Sequence, residues 1–185
     1  MNRPQCYIVT GGMGSGKTTL LKELYGQTSY GHIPEIADTI IQEQLVTSGN
    51  KLPWRSIAGF HSFQEELLAR RIAAYQALSP TTTYFSDRSI PDALPFYQYA
   101  GIAIPRTIIQ ASHKYRYNAR IFLLPPWEAI YQNTVVRPQS FTEAVNMWQL
   151  ARDIYLELDY QVVDVPKVSI AERARFILEH LSTSD

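Results

Sequence analysis

The feature that most constrains this chain is a glycine-rich stretch near its start, Thr10-Gly11-Gly12-Met13-Gly14-Ser15-Gly16-Lys17-Thr18-Thr19. It fits the pattern G-x-x-x-x-G-K-[ST]. Glycines let backbone N–H groups wrap a triphosphate, because no Cβ intervenes and a positive φ costs little. The following helix would turn its N-terminal amides and dipole toward the anion. Lys17 would direct its charge toward the β- and γ-phosphates, and Thr18 would offer its hydroxyl to Mg²⁺.

The flanking residues supply the context that such a loop requires. Cys6-Tyr7-Ile8-Val9 is a short apolar run typical of a buried strand. Leu20-Leu21-Lys22-Glu23-Leu24-Tyr25 has helical spacing. This strand–loop–helix order predicts that residues 11–19 bind a nucleoside triphosphate, with ATP and Mg²⁺ as the cofactors.

The composition limits the class of protein. A chain of 185 residues predicts one domain, 1–185, with 45% hydrophobic and 18% charged residues as in soluble globular proteins. The net charge of zero lacks the basic excess of nucleic-acid binders, and no apolar run approaches membrane-spanning length. We therefore expect small-molecule partners, no nucleic acid, no membrane, and a monomer or homodimer.

The single cysteine and the start of the chain predict the compartment. Cys6 lies inside the expected first strand, where a buried structural thiol in a reducing cytoplasm is the simplest interpretation. The residues before it run directly into the strand without a signal peptide. Both observations favour a cytoplasmic protein.

Strand and helix patterns alternate along the chain. This order implies right-handed parallel crossovers and a sheet with helices on both faces, an α/β fold of three layers. Ligands on such sheets bind at the carboxyl ends of the strands. Ser56 and Ser169 are the expected N-caps of two helices, the second with Glu172 in the capping-box position. The later predicted strands are 32–36, 82–87, 119–124 and 161–165, and the later helices are 36–47, 56–78, 91–100, 105–115, 141–158 and 169–181.

The third predicted strand ends in a carboxylate, Asp87. Phosphoryl transfer needs a carboxylate that holds Mg²⁺ or accepts a proton from the attacking hydroxyl. The fourth strand ends at Pro125 and cannot supply it. The alternative for Asp87 is to cap the next helix. Arg88 follows directly, and its charge suits the restraint of a second anionic or hydroxyl-bearing group, which favours a catalytic and substrate-binding role.

Further candidates lie on the acceptor side. Glu35, at the end of the second strand, could bind acceptor hydroxyls. Trp54, Phe60 and Phe63 could wall an acceptor pocket, although a stripe at helical spacing is more often core.

Two candidates lie in later loops. Arg137 is the one cation of the polar loop 133–140, and a loop arginine over the phosphates can stabilise transferring charge. Pro166 follows the last strand, where the nucleotide base usually lies and backbone groups would contact it. Arg116 and Arg120 are expected mainly to be solvated at the surface.

With these residues in view, the chain resembles the small P-loop ATPase-type domains grouped with the ribosylnicotinamide kinase domain of the bacterial bifunctional nicotinamide-nucleotide regulator protein. The resemblance covers nearly the whole chain. Its strings are Ile-Val-Thr-Gly-Gly-Met-Gly-Ser-Gly-Lys-Thr-Thr, Pro-Glu-Ile-Ala, Leu-Pro-Trp-Arg, Phe-Ser-Asp-Arg-Ser-Ile-Pro-Asp, Lys-Tyr-Arg-Tyr, Phe-Leu-Leu-Pro-Pro-Trp and Arg-Pro-Gln-Ser-Phe, in that order.

The resemblance implies a fold like that of nucleoside and nucleoside-monophosphate kinases. This means five parallel strands in the order 2-3-1-4-5 and a lid-like segment at about 127–142. Asp87-Arg88-Ser89 resembles the Asp/Glu-Arg motif of thymidylate and deoxynucleoside kinases. By that similarity Asp87 is the base or the magnesium holder, Arg88 binds phosphate, and Arg137 falls where the lid arginine lies.

Three functions remain open at this point. The first is a kinase that phosphorylates a small nucleoside-, riboside- or nucleotide-like acceptor. The second is a switch or binding regulator that hydrolyses ATP or GTP slowly, although a Ras-like GTPase is disfavoured because no Asn-Lys-x-Asp string occurs. The third is a P-loop protein whose partner is another protein or a lipid head group.

Overall fold

The computed structural model describes residues 5–12, 14–48, 56–131 and 140–181. The strands are β1 (Cys6–Gly11), β2 (Gly31–Ile33), β3 (Tyr84–Asp87), β4 (Arg120–Leu124) and β5 (Gln161–Asp164). The helices are α1 (Lys17–Gln27), α2 (Ile36–Ser48), α3 (Ile57–Gln76), α4 (Leu94–Tyr99), α5 (Arg106–Lys114), α6 (Phe141–Glu157) and α7 (Ile170–Leu181), with 3₁₀ turns at Pro91–Ala93 and Glu128–Ile130.

The five strands form a parallel sheet in the order β2-β3-β1-β4-β5, as the resemblance implied. β1 is the central strand and pairs with β3 on one side and β4 on the other, so that Val9 aligns with Asp87 and with Phe122. The carboxyl ends of β1 and β3 therefore lie side by side.

Successive residues of β1 face opposite layers, as the pleat of a strand requires. Ile8 belongs to a core formed with α4, α5 and α6, whereas Val9 belongs to a core formed with α1 and α7. Helices cover both faces, which confirms the three-layer α/β/α fold. Among the described residues, no helix combines the length and the apolarity that crossing a bilayer requires.

The predicted helix starts at Ser56 and Ser169 are confirmed. The hydroxyl of Ser56 accepts a hydrogen bond from the amide of Gly59 at 3.0 Å. Ser169 accepts one from the amide of Glu172 at 3.4 Å, and the Glu172 carboxylate accepts one from the Ser169 amide at 3.1 Å. Such caps satisfy amides that have no partner within the helix.

Some element boundaries differ from the sequence pattern. β2 ends at Ile33 because Pro34 has no N–H to continue the ladder. α1 continues through Gly26 to Gln27, where the Thr28 hydroxyl donates a hydrogen bond to the Leu24 carbonyl at 2.9 Å. The segment 91–100 divides into a 3₁₀ turn and the short helix α4.

The expectation that Arg116 and Arg120 are mainly solvated was wrong. Arg116 donates to the Leu158 carbonyl at 2.6 Å, just past the end of α6, and its guanidinium carbon lies 4.0 Å from the centre of the Tyr160 ring. Arg120 donates to the His180 carbonyl near the end of α7. Both cations satisfy carbonyls at helix C-termini, where the helix dipole favours positive charge.

Candidate active site

The glycine-rich loop (residues 11–18) links β1 to α1. Gly16 is the N-cap of α1 and has φ of 80°, which an L side chain adopts only with strain. No side chain caps this helix, and its first turn carries no acidic residue. Its first amides are therefore open to an external anion, and Ser15 beside them has a buried hydroxyl without a hydrogen-bond partner. These features are the ones that phosphate binding requires, and phosphate binding by the loop stays a prediction.

The other predicted loop residues lie where the strand–loop–helix order requires. Thr18 and Thr19 are exposed on the first turn of α1, so the Thr18 hydroxyl can reach a ligand. Gly12 and Gly14 lie between β1 and α1, and Met13 lies outside the described residues.

Asp87 and Lys17 form an ion pair. The parallel register puts the end of β3 beside the glycine-rich loop, and the Lys17 ammonium donates a hydrogen bond to Oδ1 of Asp87. Both side chains are largely buried, with 10% and 7% of their surface exposed. Burial raises the pKa of the Asp87 carboxyl above its ordinary value, the charge of Lys17 opposes that rise, and Glu35 adds to it.

Arg88 has an unusual backbone conformation. Its φ is 67°, in the left-handed region that non-glycine residues rarely adopt. Its amide donates to the Val9 carbonyl at 3.1 Å, and its carbonyl accepts from the Ser86 hydroxyl at 2.6 Å. Such a conformation costs about 1–3 kcal/mol and persists where neighbours enforce it, commonly at functional sites.

Carboxylates surround the Arg88 guanidinium. Nε lies 2.5 Å from the Glu35 carboxylate, and Nη1 lies 3.5 Å from Oδ1 of Asp92. Arg71 also binds Glu35, at 3.2 Å. Glu35 thus lies at the site but contacts two arginines, and its role toward an acceptor hydroxyl stays a prediction.

Asp92 is a site residue that the sequence interpretation missed. It accepts hydrogen bonds from Thr10 at 2.5 Å, from the amide and hydroxyl of Ser89 at 2.7 and 3.0 Å, and from Tyr155 at 2.6 Å. Burial opposes its ionisation, but Arg88, Arg71 and these hydrogen bonds outweigh burial and lower its pKa. The available signal was its place four residues after Arg88, within the resembling run 85–92.

A cleft with about 590 Å³ of empty volume, partly open to solvent, lies between α4 and α6 next to the glycine-rich loop. We call it the α4–α6 cleft. Its apolar wall and its few polar groups suit a small ring-bearing molecule. It is lined by Gly11, Gly12, Arg88, Asp92, Pro95, Phe96, Tyr99, Tyr131, Glu143, Ala144, Met147 and Ala151.

Phe60 and Phe63, two of the aromatic residues predicted as a possible acceptor wall, pack in or against the core instead. Phe63 is 5% exposed and packs with Ile40 of α2. Phe60 packs against Tyr97, with ring centres 4.9 Å apart. The wall of the cleft comes from α4 and α6, which the sequence interpretation did not connect with the site.

Of the remaining predicted residues, the structure describes Pro166 but not Trp54 or Arg137. Pro166 directly follows Val165 at the carboxyl end of β5. Trp54 and Arg137 lie outside the described residues, as does most of the lid-like segment 127–142.

The residues present fit a magnesium ion that is shared with phosphates. Thr18 and Asp87 supply oxygen atoms of the kind that Mg²⁺ prefers. Within the described ranges, no cluster of three or more His, Cys, Asp or Glu side chains could hold a metal ion by itself.

Arg173 was also missed. It lies on the buried side of α7 and its Nη2 donates to the Ser15 carbonyl of the glycine-rich loop at 3.1 Å. The signal was an arginine at an inward position of an amphipathic helix, three residues after Ile170 and four before Ile177.

Several solved structures that are similar to this fold are kinases. The thymidylate kinase of Candida albicans gives a TM-score of 0.65 at 16% identity, covering 97% of this chain and 91% of that one. The deoxyadenosine kinase of M. mycoides with bound dATP gives 0.63 at 14% identity, covering 97% and 100%. The shikimate kinase of Acinetobacter baumannii gives 0.53 at 13% identity, covering 96% and 93%. No curated protein sequence matches the chain significantly.

The strand order and the glycine-rich loop define a P-loop domain whose fold is like that of nucleoside and nucleotide kinases. A family model described as AAA domain matches residues 6–173, so the chain belongs to that family.

Proposed function

We propose that this protein is a kinase. It would transfer the γ-phosphoryl group of ATP·Mg to a small nucleoside-, riboside- or nucleotide-like acceptor. The proposal rests on the position of Asp87. Its carboxylate contacts Lys17 of the glycine-rich loop, and the next residue, Arg88, lines the α4–α6 cleft.

The nucleotide would occupy the glycine-rich loop. Residues 11–19 would surround its phosphates, and the backbone around Pro166 would contact its base. Lys17 would neutralise phosphate charge, and Thr18 and Asp87 would hold Mg²⁺. Bound Mg²⁺ supplies charge neutralisation for the phosphates.

The acceptor would occupy the α4–α6 cleft, with the ring of Phe96 against its apolar part. Arg88, fixed by Glu35 and Asp92, would orient it. A bond would form between the acceptor oxygen and the γ-phosphorus while the bond from that phosphorus to the β–γ bridging oxygen breaks. The proton of the acceptor hydroxyl would pass to Asp87. Arg137 would stabilise the transferring charge, and Trp54 would contact the acceptor.

The test is an ATP-consumption screen of the full chain with Mg²⁺ against nucleosides, nucleotides and ribosides. We expect at least one acceptor to raise turnover far above the basal rate, with a phosphorylated acceptor among the products. Lys17→Ala should abolish this turnover, whereas Asp164→Asn should leave it unchanged, because Asp164 is a half-exposed carboxylate that ends a different strand. Flat basal hydrolysis with every candidate would contradict the proposal and favour a nucleotide-dependent switch.

A further inference from the structure

Arg173 is an arginine with no exposed surface. Its Nη2 donates to the Ser15 carbonyl, and its guanidinium carbon lies 5.5 Å from the ring centre of Trp127. Nε and Nη1 are buried and have no hydrogen-bond partner among the described residues. Nearly all buried polar groups in proteins are hydrogen-bonded, so two unused donors on one cation require an explanation.

Arg173 also has no counterion in the described part of the chain. Its closest polar partner there is a neutral carbonyl, and burial lowers the pKa of its guanidinium without an opposing carboxylate. A buried charge without a partner costs several kcal/mol even after relaxation. By contrast, Arg88, whose side chain is 13% exposed, lies between Glu35 and Asp92.

One of the two unused donors, Nη1, lies beside the N-terminus of α1, and helix N-termini favour anions. Nη1 is 3.0 Å from the position that a Cβ on Gly16 would occupy, and Gly16 is the N-cap of α1. The hydroxyl of Ser15 is also buried there without a partner. A helix N-terminus, a guanidinium with unused donors and an unpaired hydroxyl therefore lie close together.

We propose that Arg173 is a nucleotide-binding residue whose unused nitrogen donors, Nε and Nη1, pair with the triphosphate held on the glycine-rich loop. The inference rests on the proposed function, because it takes the loop to bind a nucleoside triphosphate. In this inference the triphosphate is the counterion that Arg173 lacks among the described residues.

A purely structural role of Arg173 predicts the opposite effect of its substitution on stability. If Arg173 only supports the loop through the Ser15 carbonyl, its removal lowers stability. If it awaits an anionic ligand, an apolar side chain of similar length removes an uncompensated buried charge, so that the ligand-free protein keeps or gains stability.

The experiment compares the ligand-free full chain with Arg173→Met, Arg173→Lys and the control Arg175→Met. Arg175 lies on the same helix and its side chain is 70% exposed. Calorimetric titrations use ATP, inorganic tripolyphosphate and adenosine, and thermal unfolding is recorded without ligand. We expect Arg173→Met to lower the affinity for ATP and for tripolyphosphate about 10- to 100-fold, which is the scale of a charge-assisted hydrogen bond. The Tm of this variant should be unchanged or higher. Arg173→Lys should lie in between, and Arg175→Met should match the wild type.

Two results would overturn the inference. One is wild-type affinity for tripolyphosphate in Arg173→Met. The other is a lower Tm in this variant together with a weakening confined to adenosine. If the wild-type chain binds neither ATP nor tripolyphosphate, the proposed kinase function is wrong as well. Failure of the Arg173 inference alone is thus distinguished from failure of the proposed function.

A second measurement covers the case in which Arg173→Met does not fold. Saturating tripolyphosphate should change the emission of Trp127 in the wild-type chain, measured as the difference from Trp127→Phe. An unchanged Trp127 emission would overturn the inference.

Discussion

Lys17 and Asp87 are joined by a hydrogen-bonded ion pair across the carboxyl ends of two neighbouring strands, although seventy positions separate them in the sequence. Lys17 begins the helix that follows β1, and Asp87 ends β3, opposite Val9 in the register. The parallel pairing of β1 with β3 is thus what brings the cation of the glycine-rich loop to a carboxylate. Because both side chains are largely buried, removal of either one leaves the other with an uncompensated charge.

Asp87→Asn tests the catalytic role of this carboxylate. An amide cannot accept the acceptor's proton, so we expect kcat to fall about 10²- to 10⁴-fold, the usual contribution of general acid–base catalysis. The Kd for ATP should stay within a few-fold of the wild-type value. Steady-state kinetics and calorimetry measure both quantities, and Asp164→Asn serves as the matched control. Retained transfer in Asp87→Asn would contradict the role proposed for Asp87.

Asp92→Asn tests the buried network at the base of the cleft. Removal of this charge leaves Arg88 with one carboxylate instead of two, and breaking a buried pair costs about 3–5 kcal/mol. The pKa of Asp92 is lowered from 3.8, so its contribution is present above that pH and is lost as the pH falls through the lowered value. The difference in unfolding free energy between wild type and variant should therefore shrink in acid. Urea unfolding at a series of pH values measures it.

Asp87 should show the opposite sign in the same experiment. Its pKa is raised, so folding favours the protonated carboxyl, and its contribution to stability decreases as the pH rises from 3.8 through the raised value. If Asp87→Asn and Asp92→Asn change the pH profile in the same direction, one of the two assignments is wrong.

The fold could be predicted from local patterns because it depends on them. The apolar run at Cys6–Val9, the glycine-rich loop and the alternation of strand and helix patterns identify a parallel α/β sheet. The resemblance supplied the strand order, which no local pattern contains. The boundaries of strands and helices differed from the prediction where a single residue outweighed the periodicity, as Pro34 does at the end of β2.

The site was predictable where its residues belong to the glycine-rich motif or stand at the end of a predicted strand. Lys17 belongs to the glycine-rich motif that follows β1, and Asp87 and Arg88 stand at the end of β3, where the rule for parallel sheets places ligands. The spacing of Asp92 and Arg173 marked them only as residues near Arg88 or on the inward side of a helix, because their partners Thr10, Tyr155 and Ser15 are distant in the sequence. The α4–α6 cleft escaped prediction for the same reason, because its walls come from two helices far apart in the chain.

Phe96→Ala tests the assignment of the α4–α6 cleft to the acceptor. Stacking of a base on an aromatic side chain contributes about 1–3 kcal/mol, so we expect the KM for a nucleoside-like acceptor to rise about 5- to 150-fold. The KM for ATP should not change. Phe176→Ala is the control, since Phe176 is a half-buried phenylalanine on α7 that packs against His180 rather than the cleft. An equal change in both KM values would place the acceptor elsewhere.

Gly16→Ala and Gly101→Ala separate backbone strain from ligand binding. Both glycines have left-handed φ angles, 80° and 65°, so each alanine should cost about 1–2 kcal/mol of stability. The two sites differ in their surroundings. A Cβ at Gly16 would lie 3.0 Å from Nη1 of Arg173 and 3.3 Å from Ile130, whereas a Cβ at Gly101 would meet nothing within 4 Å.

We therefore expect the two variants to lose similar stability but to differ in nucleotide affinity. Gly16→Ala moves the N-cap of α1 and narrows the space in which backbone amides meet a phosphate, so its affinity for ATP should fall at least tenfold, about 1.4 kcal/mol. Gly101→Ala should bind ATP like the wild type. Urea unfolding gives the stability of each variant, and calorimetric titration gives the affinity. If both variants bind ATP with wild-type affinity, the phosphates do not lie at the N-terminus of α1.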